Sequence, residues 1–194
     1  MTSIVAIKDA DGVVFGSDTE VGPTRLPPEL GKHGVYRFSN TKAVIGFSGM
    51  GRPIQLIMTL DFSKIVIDVD DPWTSIVTKY VPLVRQHLEI NGCVRRNDNG
   101  SEESRVTHLI AVAGQLFYVS SNFYVGRDAL RPSYTAIGQG EDAATSILQA
   151  LDITNYAGSP ERRVEIVLKC IEANFHSVGG PFKITRHRWA DLET

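Results

Sequence analysis

Short apolar runs separated by turn residues open the chain. Ser3 to Ile7 reads as a first strand and Val13 to Asp18 as a second, with Lys8-Asp9-Ala10-Asp11-Gly12 between them. The Asp-Gly pair in that turn is a hairpin signal. A loop carrying Pro23, Pro27 and Pro28 follows, and then a second hairpin, Val35 to Phe38 and Ala43 to Phe47, turning at Asn40-Thr41. The apolar period then changes from two to between three and four. Arg52 to Phe62 reads as one helix. Asp71-Pro72 reads as an N-cap with proline at the first helical position, where its missing N–H costs nothing. Trp73, Ile76, Val77, Tyr80, Val81, Val84 and Leu88 then line one helical face, closed by Asn91-Gly92.

Residues 94 to 105 are polar and charged and read as a loop. Alternation resumes in His108 to Ala113 and Leu116 to Val119, joined at Gly114-Gln115, and again in Tyr134 to Ile137. A helix over Glu141 to Leu151 is expected next. Another starts with Ser159 as N-cap and Pro160 at the first position, with Val164, Val167, Cys170 and Ile171 on one face. Phe182 to His187 reads as the last strand. Strands come in runs and do not alternate with helices, which favours an α+β protein with antiparallel sheets. Two sheets packed face to face with a helix pair on each outer side, a four-layer αββα sandwich, would bury every apolar stripe.

A length of 194 residues suits one domain, residues 1–194, with a substantial core. The formal net charge of -2 argues against a nucleic-acid platform. No run approaches the roughly 18 apolar residues of a membrane span, and Met1-Thr2-Ser3-Ile4-Val5 lacks the pattern of a secretory signal. Cys93 and Cys170 are the only cysteines, at a spacing that suggests neither a disulfide framework nor a zinc site. A reducing cytoplasm is the expected setting, and no cofactor or metal is expected.

Candidate chemistry starts at Thr2. Methionine before a small residue is usually trimmed, which would place a hydroxyl and a free α-amine on one residue. An α-amine with an ordinary pKa of roughly 8 can act as base for its own hydroxyl. The surrounding pattern extends this. Thr2-Ser3-Ile4-Val5-Ala6-Ile7 followed by Asp11-Gly12-Val13-Val14-Phe15-Gly16-Ser17-Asp18 resembles the start of a mature proteasome β subunit or of the HslV peptidase. Ser39 to Gly49 resembles the next hairpin of that family. Tyr134-Thr135-Ala136-Ile137-Gly138-Gln139-Gly140 resembles its strand-to-helix segment, and Val178-Gly179-Gly180-Pro181-Phe182 its late Gly-Gly. The matches are in order and span nearly the whole chain.

The resemblance implies an N-terminal-nucleophile hydrolase fold with Thr2 as nucleophile, Asp18 on the family's acidic position and Gly46 on the glycine whose N–H serves as oxyanion donor. A strand-ending Asp18 and a bulge or twist at Gly46 are the structural alternatives for those residues. The family's lysine position falls on Gly34. Lys32 is the nearest candidate, sharing a face with position 34 if the strand extends that far back, with His33 opposite; a solvent-exposed Lys32 is the alternative. Gln139 stands where a serine is usual. Phe175 and Val178 stand where an aspartate and a serine are common, with Ser177 close enough to supply a hydroxyl. Three functions follow: a threonine peptidase acting on peptides or unfolded protein in a homo-oligomeric ring, with an ATPase or other regulator; a catalytically silent proteasome-like assembly subunit; or an amidase of the same mechanism acting on a non-peptide substrate.

Overall fold

The computed structural model describes residues 2–21, 24–25, 31–127 and 133–193. Met1 and the loop prolines Pro23, Pro27 and Pro28 lie outside the described residues. The chain begins with β1 (Ser3–Lys8), β2 (Gly12–Ser17), the two-residue β3 (Glu20–Val21) and β4 (Thr24–Arg25), β5 (His33–Arg37) and β6 (Lys42–Gly49). The first helical region holds α1 (Gly51–Met58), a 3-10 turn at Phe62–Lys64, α2 (Pro72–Ser75), a π turn at Ile76–Tyr80 and α3 (Val81–Ile90). The second strand region holds β7 (Arg95–Arg96), β8 (Glu102–Glu103), β9 (Val106–Val112), β10 (Gln115–Val119), β11 (Val125–Gly126) and β12 (Tyr134–Gly138). Then come α4 (Glu141–Ile153), α5 (Pro160–Asn174), β13 (Lys183–Arg188) and α6 (Trp189–Leu192).

Two larger sheets form, antiparallel throughout, in the orders β12-β1-β2-β13 and β11-β10-β9-β6-β5. Successive strand side chains point to opposite faces, and the apolar pattern uses both. Ile4, Ala6, Val13 and Phe15 meet Val44 and Leu109 between the sheets. Val5, Ile7 and Val14 face the other way and pack on Val164, Leu168 and Ile171 of α5. Ile45, Phe47 and Ile110 cover Ile57 of α1 and Val84 and Leu88 of α3. The result is the expected α+β sandwich, with helices, sheet, sheet and helices as its four layers. Helix α5 lies so close to β2 that a Cβ on Gly16 would sit 2.1 Å from Val164 Cγ1.

Three local expectations are corrected. The helix expected to reach Phe62 stops at Met58. The Thr59 hydroxyl donates to Leu56 O at 2.8 Å, and the amides of Thr59 and Leu60 turn back to Leu56 and Ile57. The long helix from Pro72 is interrupted by its π turn. Pro82 has no N–H to give to the preceding turn, and a wider turn accommodates that loss. The expected loop over residues 94–105 contains the β7–β8 ribbon. Its Arg96 and Glu102 are cross-strand partners and join Arg85 and Glu89 of α3 in one ion-pair cluster.

Candidate active site

Strand β2 delivers Asp18 to the end of the four-stranded sheet, where it is fully buried. Ser3, the first residue of β1, donates its backbone N–H to Asp18 Oδ1 at 2.8 Å and accepts the Asp18 N–H at 3.3 Å. Lys32 Nζ donates to Asp18 Oδ2 at 2.7 Å and to the Glu20 carbonyl. A buried carboxylate without such partners costs several kcal/mol, so the pair is held by mutual need. Burial pushes the Asp18 carboxyl up and the opposite charge of Lys32 pulls it back; burial pulls Lys32 below its ordinary value and Asp18 opposes that. The carboxylate is thus one peptide away from Thr2, which is itself only 7% exposed.

Lys32 arrives by a route other than the expected one. Strand β5 starts at His33, and Gly34 lies on the same side as Tyr36, which packs toward Phe47 and Phe62 and away from the four-stranded sheet. Lys32 therefore does not reach Asp18 by sharing the face of Gly34. It precedes the strand, and its peptide is pinned on both sides. Its N–H donates to Ser17 Oγ at 3.2 Å, and its carbonyl accepts the Phe47 N–H at 3.1 Å.

The facing wall comes from the end of β12. Gly138 pairs with Ser3, and the Gln139 N–H donates to the Thr2 carbonyl at 2.8 Å. A Cβ on Gly138 would lie 2.1 Å from Thr2 O and 2.5 Å from Ser48 Oγ, so only glycine leaves room there. Ser177 Oγ hydrogen-bonds Gln139 Oε1. The Gly179 and Pro181 carbonyls accept from the amide and hydroxyl of Thr19, next to Asp18. Thr2, Asp18, Lys32 and Ser177 are thus brought to one end of the molecule. Beside it opens a cavity of about 490 Å³ lined by Gly138, Gly140, Glu141, Asp142, Ala143 and Phe175. Burial and the charge of Asp142 push the Glu141 carboxyl above its ordinary value. Among the described residues no group of three His, Cys, Asp or Glu could hold a metal ion.

Gly46 is corrected. The Phe47 N–H points to the β5 side of β6, so the alternating ladder turns the Gly46 N–H to β9, where Gly46 pairs with Leu109. Its missing side chain makes room instead for Ile4, whose Cδ1 would lie 2.9 Å from a Cβ there. The same alternation aims the Gly49 N–H to the β5 side, beyond the pairing of Gly46 with the first residue of β5, His33. Gly49 has φ of 135°, and a Cβ on it would lie 2.1 Å from Arg105 O. The Gly-Met-Gly run after Ser48 is the sequence signal for this backbone conformation. His33, expected on the face opposite Gly34, lies there: its ring is buried against Phe15, 3.0 Å from Ser17 Oγ.

No protein-family model matches the chain, and no curated protein matches its sequence. Solved structures do match in shape. BPH from Thiobacillus denitrificans, in complex with epoxomicin, aligns at a TM-score of 0.72 and 15% identity, over 96% of this chain and 98% of that one. HslV from Trypanosoma brucei aligns at 0.61 and 15% identity, over 95% and 99%. An Anbu chain from a helical assembly of Pseudomonas aeruginosa aligns at 0.65 and 14% identity, over 98% and 83%. The likeness runs along the entire sandwich, and the chain has the N-terminal-nucleophile hydrolase fold of these HslV-like and proteasome-like proteins.

Proposed function

We propose that the chain is a threonine peptidase of the proteasome type, with Thr2 as nucleophile after removal of Met1. The observation that carries this reading is the buried Lys32–Asp18 pair, tied through Ser3 N–H to the residue after Thr2. Thr2 Oγ attacks the scissile carbonyl and its proton passes to the Thr2 α-amine. The Lys32 ammonium favours the developing alkoxide, and Asp18 holds that ammonium in place. The oxyanion takes the Gly49 N–H in place of Gly46; a backbone donor aimed at such a charge contributes on the order of 3 kcal/mol. Collapse of the tetrahedral adduct expels the amine, which takes the proton back from the α-ammonium and leaves an ester on Thr2. Water then attacks the ester with the α-amine as base, releasing the acid and restoring the hydroxyl. Ser177 acts one step removed, by orienting Gln139, whose N–H holds the Thr2 carbonyl.

The substrate is a peptide or unfolded segment lying in the cavity beside Gly138. The working form is a homo-oligomeric cytoplasmic ring that hides the site, with an ATPase or other regulator feeding it. A panel of short fluorogenic peptide amides tests the activity. Turnover by protein lacking Met1, abolished by Thr2→Ala and retained in part by Thr2→Ser, is the expected result. Equal turnover by protein that keeps Met1 would overturn the mechanism. No turnover of any amide by the trimmed protein would favour the silent assembly subunit, and turnover of non-peptide amides alone would favour the amidase.

A further inference from the structure

Behind Lys32 a line of polar side chains crosses the edge of the sandwich between β5 and β13. The Lys32 N–H lies 3.2 Å from Ser17 Oγ, and Ser17 Oγ lies 3.0 Å from His33 Nδ1. His33 Nε2 lies 2.8 Å from Thr185 Oγ1, and Thr185 Oγ1 lies 3.0 Å from His187 Nε2. Ser17 and His33 are buried, while Thr185 and His187 are half-buried. A second bond, from Lys183 Nζ to the His33 carbonyl at 3.0 Å, holds the backbone just after Lys32.

Chemistry gives this line a direction. A backbone N–H can only donate, so Ser17 Oγ accepts from Lys32, and the order in which each hydroxyl hydrogen also finds an acceptor along the line sends its own hydrogen to His33 Nδ1. A neutral His33 then carries its proton on Nε2 and donates to Thr185 Oγ1. The Thr185 hydroxyl in turn donates to His187 Nε2, which must be bare. Every group in the line then donates once. A proton on His187 Nε2 breaks this order. Thr185 Oγ1 would face two N–H donors, or the order would reverse and Ser17 Oγ would face two. In the first case the Thr185 hydroxyl hydrogen loses its acceptor; in the second the Ser17 hydroxyl hydrogen does, and Ser17 Oγ then shares its acceptor capacity between Lys32 and His33, which weakens the bond that pins Lys32.

We propose that Ser17, His33, Thr185 and His187 are positioning residues for Lys32, and that protonation of His187 loosens the hold. The proposal rests on the reading of Lys32 as part of the site at Thr2. The groups around His187 are few. Lys183 stands on its own strand and His33 faces it from β5, while β2 offers Val13 and Phe15 as partners of His187 and Thr185. Arg186 points to the opposite side, toward Asp9 and Glu161. After β13 the Trp189 indole donates to Asp9 O, and Asp191 presents its carbonyl to Lys42. Burial and Lys183 lower the His187 pKa, and burial, Lys183 and His187 bring that of His33 to about 3.

The test compares wild type with Thr185→Val, which keeps shape and removes the hydroxyl, and Thr185→Ser, which restores it. Two readouts are taken as the pH is lowered stepwise from 8: peptide-amide turnover, and the 15N shifts of the histidine rings and of Lys32 Nζ. At pH 7.5 His33 should carry its proton on Nε2 and His187 on Nδ1. The Lys32 resonance should move as His187 titrates in wild type and in Thr185→Ser, and stay still in Thr185→Val. Turnover should drop about tenfold in Thr185→Val at little-changed KM, and its acid limb should lose one proton's dependence. A His33 proton on Nδ1 in wild type, or a Thr185→Val protein with wild-type turnover and pH profile, would overturn the proposal. Failure of the Thr2 reading looks different: no turnover in wild type, with the 15N readout still deciding the chain.

Discussion

A charge buried as deeply as that of Asp18 has to be matched at contact distance, and Lys32 is what matches it. Removing either partner leaves the other stranded. Lys32→Ala and Asp18→Asn should each reduce peptide-amide turnover on the order of 10²-fold to 10⁴-fold. The double variant Thr2→Ala/Lys32→Ala should be no worse than Thr2→Ala alone, because residues acting as a unit give non-additive losses. Steady-state kinetics on trimmed protein checks this, and wild-type turnover by Lys32→Ala would remove Lys32 from the mechanism. Gly49→Ala should be as damaging. It forces a side chain onto a φ of 135° and into Arg105 O, whereas the Gly46 amide is already used by the sheet. That Asp18 and Lys32 would meet beside Thr2 was legible because sequence order and charge type carry it. The proposed exchange of Gly46 for Gly49 was not, because which amide the sheet leaves unpaired depends on ladder alternation, and that needs the register of β5 on β6.

At the scale of elements, the helix from Pro72 is held to the five-stranded sheet by a polar contact inside an apolar layer. The Tyr80 hydroxyl, at the end of the π turn, hydrogen-bonds His108 Nδ1 at 2.7 Å, and both residues are buried. Tyr80→Phe leaves that ring nitrogen without its partner and should cost about 1–3 kcal/mol of stability in denaturant unfolding. Burial lowers the His108 pKa from 6.5 to about 3. The folded state therefore binds fewer protons than the unfolded state between those values, so this contribution is full above pH 6.5 and is lost as pH falls toward 3. The Tm should drop across that window, and less steeply in His108→Gln. An equal drop in both proteins would assign the acid sensitivity elsewhere. The apolar stripe of this helix was plain in the sequence. The π turn was not read, although Pro82 within the stripe was a signal for a break in the hydrogen-bond ladder. The β7–β8 ribbon escaped because two-residue strands have no period to detect, only the opposite charges of Arg96 and Glu102.

At the scale of the molecule, the layer order was legible because each layer needs its own apolar face, and the residues supply faces in sets. Ile4 and Ala6 serve the space between the sheets, while Val5 and Ile7 serve α4 and α5. What surrounds the molecule is not encoded that way. Related folds include an Anbu chain in a helical assembly, and the proposed ring makes its own demand on this chain. Light scattering at micromolar concentration should report a closed homo-oligomer, and a strict monomer would count against a compartmental peptidase.

A nucleophilic Thr2 would be caught by a covalent trap. Epoxomicin occupies the T. denitrificans BPH structure that this fold matches. Incubation of the Met1-trimmed chain with epoxomicin, followed by intact mass and peptide mapping, should show one adduct per chain, on Thr2. The adduct should be absent from Thr2→Ala and form far more slowly in Lys32→Ala. An unmodified chain after prolonged incubation, or an adduct that persists in Thr2→Ala, would contradict the account.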